Sequence, residues 1–339
     1  MSAPALAGLD LPALQRFFDE RVPDCAGPLT ARLFDGGKSN LTYHLTDGAR
    51  EWVLRRPPLG PLTPTAHDMA REYRVVEALG DTGFPVARAV ALCEDPEVLG
   101  VPFSVVAFVP GTVLRDGDDA AALTTEQAAQ CSRALVDTLA ALHALDYSAL
   151  GLDGFGRPAG YLARQVRRWR GQWDRVATRE LGTVDRLAEL LAARVPARSA
   201  ASIVHGDFRI DNTILTPDCT AVAAVVDWEM ATLGDPLADL GLLQVYWDPA
   251  AEPVLGVRHA PSANPGFLTT DELAERYAWA TGHQLDDAAF YQALGYFKLA
   301  VIAEGIHQRH LAGKTVGSGF ATVGAAVPGL LDAGLETLG

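Results

Sequence analysis

Residues 203–241 read IVHGDFRIDNTILTPDCTAVAAVVDWEMATLGDPLADLG. Two short apolar runs in this stretch end at His205-Gly206-Asp207 and at Asp227-Trp228-Glu229, so each delivers a carboxylate from the end of a strand. Asn212 stands between them, five residues after Asp207 and fifteen before Asp227. An Asp, Asn, Asp set in this order suits phosphoryl transfer. One carboxylate orients an attacking hydroxyl and accepts its proton, while an amide oxygen and a second carboxylate hold Mg²⁺ on the phosphates of ATP.

Protein kinases build the same set from HRD, four spacer residues, Asn and then DFG. Here HGD and DWE occupy those places, and GDPLADL follows. On these motifs the chain resembles the aminoglycoside phosphotransferase and choline-kinase-like family, small-molecule kinases of the protein-kinase-like fold. The resemblance implies a bilobal α+β fold with an antiparallel five-stranded N-terminal lobe over residues 1–106, a hinge at 107–112 and a mainly helical catalytic lobe over 113–339. It implies ATP as donor, read at the hinge by backbone groups around Ala107 and Val109, which does not exclude GTP. Asp207 then orients the acceptor hydroxyl and takes its proton, and Asn212 and Asp227 bind Mg²⁺. Arg209 either stabilises charge near the transferring phosphate or anchors the loop. His205 holds the loop by hydrogen bonding, and Asp239 caps its backbone N–H groups. No APE sequence or activation-loop-like stretch follows DWE, because Gly234-Asp235-Pro236 arrives within a few residues. That disfavours protein substrates and points to a hydroxyl on a small molecule.

The bulk properties agree with a soluble enzyme. With 339 residues, 49% of them apolar, the chain can fill a sizeable core in each of two lobes. Its 28 basic residues against 42 acidic ones give a net charge of −14, which disfavours nucleic acid and anionic membrane as partners. The opening MSAPALAGLDLPALQRFF lacks the basic and continuous apolar regions of a leader. No run approaches the roughly 18 apolar residues of a membrane span, so a cytoplasmic protein is expected. Cys25, Cys93, Cys131 and Cys219 are scattered without metal or disulfide spacing.

Before the motif stretch, apolar residues at Leu11, Leu14, Phe17 and Phe18 predict a helix over 9–22. Strand signals then run through LTARLFDGGKSNLTYHLTDGAREWVLRR, broken at Asp35-Gly36-Gly37 and Asp47-Gly48. Gly36, Gly37, Ser39 and Asn40 can let backbone N–H groups approach phosphate, or can form an ordinary hairpin turn. A Walker A loop is excluded, because GxxxxGK[ST] requires Gly where Arg32 stands. WVLR, residues 52–55, sits where kinases carry VAIK, with arginine in place of lysine. Alternation puts Arg55 and Arg56 on opposite faces, and Arg55 is the expected phosphate ligand. Glu72, in the helix HDMAREYRVVEAL, is its expected ion-pair partner, with Glu77 as the alternative. The strands ARAVALCED and PFSVVAFVPG, separated by a turn at Asp95-Pro96, complete the first lobe.

Past residue 112 the period changes to helical. Thr124 and Gln127 predict a capping box, and helices are expected at 242–248, at 272–280 and through LGYFKLAVIAEGIHQRHLAGK, followed by a weakly packed terminal helix in 317–339. His143 reads as a structural histidine. His307 and His310 lack a third metal ligand. GFGRP, YLARQVRRW and DWEMATLGDP are similar in order to the subgroup of kinase domains fused to acyl-CoA dehydrogenases. Arg164, Arg167, Arg168 and Arg175 share one helix face, which suits an anionic acceptor or is a solvated face balanced by Asp174, Glu180 and Asp185. A hydroxyacyl-CoA or hydroxy acid is the expected acceptor. The alternatives are an aminoglycoside or amino sugar, or a catalytically silent nucleotide-binding regulator, which the replacement of the usual lysine by Arg55 favours.

Overall fold

The computed structural model describes residues 6–34, 40–60, 68–315 and 319–339. Contacts divide the chain into two units, Met1–Pro110 with Ala223–Glu229, and Gly111–Val222 with Met230–Gly339.

The first unit is built on a five-stranded antiparallel sheet. Its elements are α1 (Leu11–Arg21), β1 (Thr30–Leu33), β2 (Leu41–Thr46), β3 (Glu51–Arg56), α2 (Met69–Leu79), β4 (Ala89–Cys93), α3 (Pro96–Leu99) and β5 (Phe103–Ala107). The strand order is β1-β2-β3-β5-β4. The turn expected at Asp95-Pro96 is the start of the one-turn helix α3, with the Asp95 carboxylate accepting the Glu97 N–H. Asp10 caps α1 in the same way through the Ala13 N–H. The apolar stripe of α1 then sets Leu14 and Phe18 into a core with Tyr43, Leu45, Trp52, Leu54, Phe103 and Val105. Phe18 meets Trp52 edge to face at 5.4 Å between centroids. Alternation along β3 sends Trp52, Leu54 and Arg56 into that core and leaves Val53 and Arg55 on the opposite face. Register therefore sets the two arginines on opposite faces of the sheet.

The second unit is mainly helical: α4 (Gly117–Ala120), α5 (Thr125–His143), α6 (Tyr161–Val176) and α7 (Gly182–Ala193) precede the motif stretch. The strands β6 (Ser202–Val204), β7 (Thr213–Leu215) and β9 (Thr232–Gly234) carry that stretch together with β8 (Val222–Val225), which from Ala223 onward is counted in the first unit, and β6 pairs antiparallel with β9. After it come α8 (Leu237–Tyr246), α9 (Glu252–Leu255), α10 (Thr270–Thr281), α11 (Ala288–Leu311) and α12 (Val323–Leu338). The Thr124 and Gln127 side chains form the reciprocal capping box at the start of α5. Two boundaries and one packing expectation differ from the sequence reading. The helix expected at 242–248 begins at Leu237, where Asp235 caps the Leu237 N–H at 3.0 Å. The long helix α11 begins before LGYFK, at Ala288. The terminal helix is not weakly packed, because α12 buries Val323, Val327, Leu330, Leu331 and Leu338 in the same core as α7 and α11.

Gly241 explains the close seating of α8 on α11. A Cβ there would lie 2.4 Å from the Tyr291 carbonyl carbon, so only glycine allows the two backbones to meet. Among the described residues, no helix is long and apolar enough to cross a membrane.

Candidate active site

In the first unit, Arg55 Nη2 donates to Asp227 Oδ1 at 2.9 Å, and its Nε lies 3.6 Å from Glu72 Oε2. Asp227 belongs to this unit because β8 is tied to it. The Val225 N–H donates to Pro85 O at 2.8 Å, and the Trp228 ring meets Phe84. Asp227 adopts φ +69°, a left-handed conformation shared among the described non-glycine residues only with Cys219. Such a backbone costs of order 1–3 kcal/mol and persists where surrounding contacts hold it. Asn40 is buried and its Nδ2 donates to Glu72 Oε1 and to Glu229 Oε2, each at 3.4 Å. Burial, with the negative charges of Asp227 and Glu229, pushes the Glu72 carboxyl up to about 7 against the opposing pull of Arg55. Arg56 does something else. Its guanidinium donates to the Gly8 carbonyl and, at 3.3 Å, to Leu99 O, so it pins the N-terminal segment to the core. Gly36, Gly37 and Ser39 lie outside the described residues. The Ala107 N–H is committed to Arg88 O at 2.8 Å and that of Phe108 to Glu51 O at 3.1 Å, while Val109 lies beyond the last strand residue.

In the second unit the HGD turn is held from below. The Asp239 carboxylate, buried on α8, accepts the N–H of His205 at 2.7 Å and of Gly206 at 2.8 Å. His143 Nε2 reaches the same carboxylate at 3.4 Å, and its Nδ1 meets Tyr277 Oη at 2.6 Å, so this histidine is structural. The buried His205 ring accepts the Asp207 N–H at Nδ1, 3.2 Å away. Asn212 Nδ2 donates to both the carbonyl and Oδ2 of Asp207, at 2.9 and 3.0 Å. Arg209 sits between two carboxylates, with Nε 3.5 Å from Asp207 Oδ2 and Nη1 3.0 Å from Asp211 Oδ2. Burial pushes the Asp207 carboxyl up, but the Arg209 and Lys298 charges and the Tyr246 hydroxyl outweigh it and hold it below the usual carboxylate value.

Two residues of this cluster escaped the sequence reading. The Tyr246 hydroxyl donates to Asp207 Oδ1 from the last turn of α8, and the Arg209 guanidinium lies 5.4 Å from its ring centroid. Lys298, buried on α11, donates to the Gly206 carbonyl and stands 5.6 Å from the Trp169 ring centroid. A signal for each exists in the chain. Tyr246 lies seven residues after Asp239, hence on the same helix face, and Lys298 is a lone charge inside the apolar run of α11.

A profile of the phosphotransferase enzyme family (APH) matches residues 30–289. The chain belongs to this phosphotransferase family. Among solved structures, a Ralstonia eutropha protein provisionally named an aminoglycoside phosphotransferase is 32% identical, with a TM-score of 0.84 over 97% of this chain and 98% of that one. Among curated proteins, acyl-CoA dehydrogenase family member 11 of Gallus gallus is 37% identical over 340 residues, 96% of this chain and 43% of that protein. Member 10 of Mus musculus is 35% identical over 291 residues, 85% of this chain and 27% of that protein. The phosphotransferase chain thus spans less than half the length of these curated relatives.

The phosphotransferase's expected anion-binding arginines are mostly engaged locally. On α6, Arg164 donates to the carbonyls of Arg157 and Ala159, Arg175 to Gln172 Oε1 at 2.7 Å, and Arg168 lies over Trp169 at 5.5 Å from the ring centroid. Arg167 is exposed, and Asp174 and Asp185 are paired with Arg170 instead. Among the described residues no group of three or more His, Cys, Asp or Glu could hold a metal alone. Mg²⁺ in a phosphotransferase does not require one, since it keeps waters and takes one or two protein ligands plus phosphate oxygens. Asn212 fits this use, because its donor side is committed to Asp207 and its amide oxygen remains for a hard cation. Arg55 Nε, buried and without a hydrogen bond, fits a phosphate oxygen in the same sense.

Proposed function

We propose that this phosphotransferase moves the γ-phosphoryl group of ATP to a hydroxyl on a small molecule, with Mg²⁺ held by Asn212 and Asp227. Family membership supports ATP as the donor. The observation that carries the reading is the state of Asp207: Asn212 and Tyr246 hold its carboxylate, and neighbouring cations favour its ionised form. In that form it can accept the proton of the attacking hydroxyl. Arg209, 3.5 Å from that carboxylate, either meets charge on the transferring group or anchors the loop. Arg55 and Asn40, with backbone at Val109, are proposed to face the nucleotide, and Glu72 to set the pose of Arg55. Held there, Mg²⁺ would supply charge neutralisation at the phosphates, and the protein's part is to position the hydroxyl and receive its proton.

For the acceptor, an aminoglycoside or amino-sugar hydroxyl has the better support. The relative that matches over nearly its whole length carries that provisional name, and three of the four α6 arginines are engaged locally. A hydroxyacyl-CoA is the second reading, favoured by the names of the curated relatives. The test is ADP release from Mg-ATP in the presence of an aminoglycoside panel, a hydroxyacyl-CoA panel or no acceptor, with Asp207→Asn as the blank. Stimulation by one panel, lost in the blank by about 10²-fold or more, supports the reading and selects the acceptor class. Equal turnover by Asp207→Asn and wild type would sink the role given to Asp207.

A further inference from the structure

Both oxygens of Asp207 are already engaged. Oδ2 accepts from Asn212 Nδ2 at 3.0 Å and faces Arg209 Nε at 3.5 Å, while Oδ1 accepts the Tyr246 hydroxyl. A hydroxyl that is to lose its proton to this carboxylate must first donate a hydrogen bond to it, and on Oδ1 the phenol already takes one of the accepting positions. Tyr246 is well placed to keep it. Its ring is buried on α8, two turns after Asp239, so one helix holds both the backbone of the HGD turn and the carboxylate of Asp207. Burial and the adjacent Asp207 charge push the phenol pKa far up, so it remains an O–H donor. The ring also walls a small cavity with Arg115, Trp247 and Pro261.

We propose that Tyr246 sets the specificity of phosphoryl transfer for a bound acceptor over water, by holding Asp207 Oδ1 until an acceptor hydroxyl displaces it. A bound acceptor brings the binding energy of its remaining atoms to that exchange, whereas a water molecule brings none. In the productive reaction the bond from the acceptor oxygen to the γ-phosphorus forms, the bond to the ADP oxygen breaks, and the hydroxyl proton passes to Asp207. With water in the acceptor's place the same steps give ADP and inorganic phosphate. The phenol makes that second reaction slow. This inference rests on Asp207 being the group that receives the proton.

Tyr246→Phe removes the hydroxyl and keeps the ring beneath Arg209. ADP release from Mg-ATP without any acceptor should rise about tenfold, the scale of one hydrogen bond to a charged group, with ATP affinity by calorimetry unchanged as the check on folding. The rise should vanish when Asp207→Asn is added. Unchanged or reduced release by Tyr246→Phe, with Asp207→Asn impaired, overturns the inference and leaves the function standing. A rise that persists without Asp207 also overturns it, since the phenol then acts elsewhere. Wild-type release by Asp207→Asn alone removes the proton-accepting role and the inference with it.

Discussion

The Asp239 carboxylate accepts the backbone N–H of Gly206 at 2.8 Å while its other oxygen takes the N–H of His205. Two adjacent donors of a tight turn therefore converge on one buried anion, which an amide cannot copy, because one of its two ends is itself a donor. Asp239→Asn should destabilise the protein by about 1–3 kcal/mol, the cost of leaving a buried donor unpaired. It should also lower kcat, since the displaced turn carries Asp207. Denaturant unfolding and ADP release check both, and unchanged values for each would show that the turn holds itself.

Gly206 has φ +81°, and a Cβ on it would stand 2.7 Å from the Met230 carbonyl oxygen. This is why HGD replaces HRD here, as no side chain fits between the turn and the backbone after DWE. Gly206→Ala combines a left-handed backbone with a contact to main chain that no rotamer relieves, so a loss of roughly 1–3 kcal/mol is expected. Thermal melting of the variant against wild type measures it.

Arg55 and Arg56 separate by function in one experiment. Arg55→Ala removes the partner of Glu72 and Asp227, and should raise the KM for ATP while also lowering the melting temperature, because the buried Glu72 loses its cation. Arg56→Ala removes the anchor on Gly8 and Leu99, and should lower the melting temperature while leaving the KM for ATP unchanged. Steady-state kinetics at varied ATP, read beside melting curves, would expose a reversed assignment.

Most of the architecture was legible because the chain states it locally. The period-two runs became β1 to β5, and the capping box opened α5 where its residues stand. What the sequence hid followed from burial. In α8, Asp239 and every residue from Leu240 to Tyr246 are buried, so no polar stripe marked its first turn and the predicted start fell late. The small residues of α12 looked weakly held, yet small residues are what lets a helix seat closely against α11. At the candidate site, motif order and spacing singled out Asp207, Asn212 and Asp227 as the proposed set. Tyr246 and Lys298 reach the same turn from helices far along the chain, and the local signals they leave do not say which turn they meet.

Glu304 offers a test of stability against pH away from the site. Buried on α11, it accepts the Thr178 N–H at 2.9 Å, the Thr178 hydroxyl at 2.6 Å and Arg179 Nη2 at 2.8 Å. Burial pushes its carboxyl up, but these donors and the arginine charge outweigh it and hold the pKa below the usual value. A carboxyl depressed in the folded state binds its proton more readily when unfolded, so it stabilises the fold above the unfolded value of about 4.3. That contribution disappears as pH falls through the folded value. Glu304→Gln should therefore be less stable than wild type at neutral pH by about 1–3 kcal/mol, and the gap should close as pH falls below about 4. Urea midpoints for both proteins across that range decide it. A gap independent of pH would mean that Glu304 acts through packing and neutral hydrogen bonds, with its charge contributing nothing.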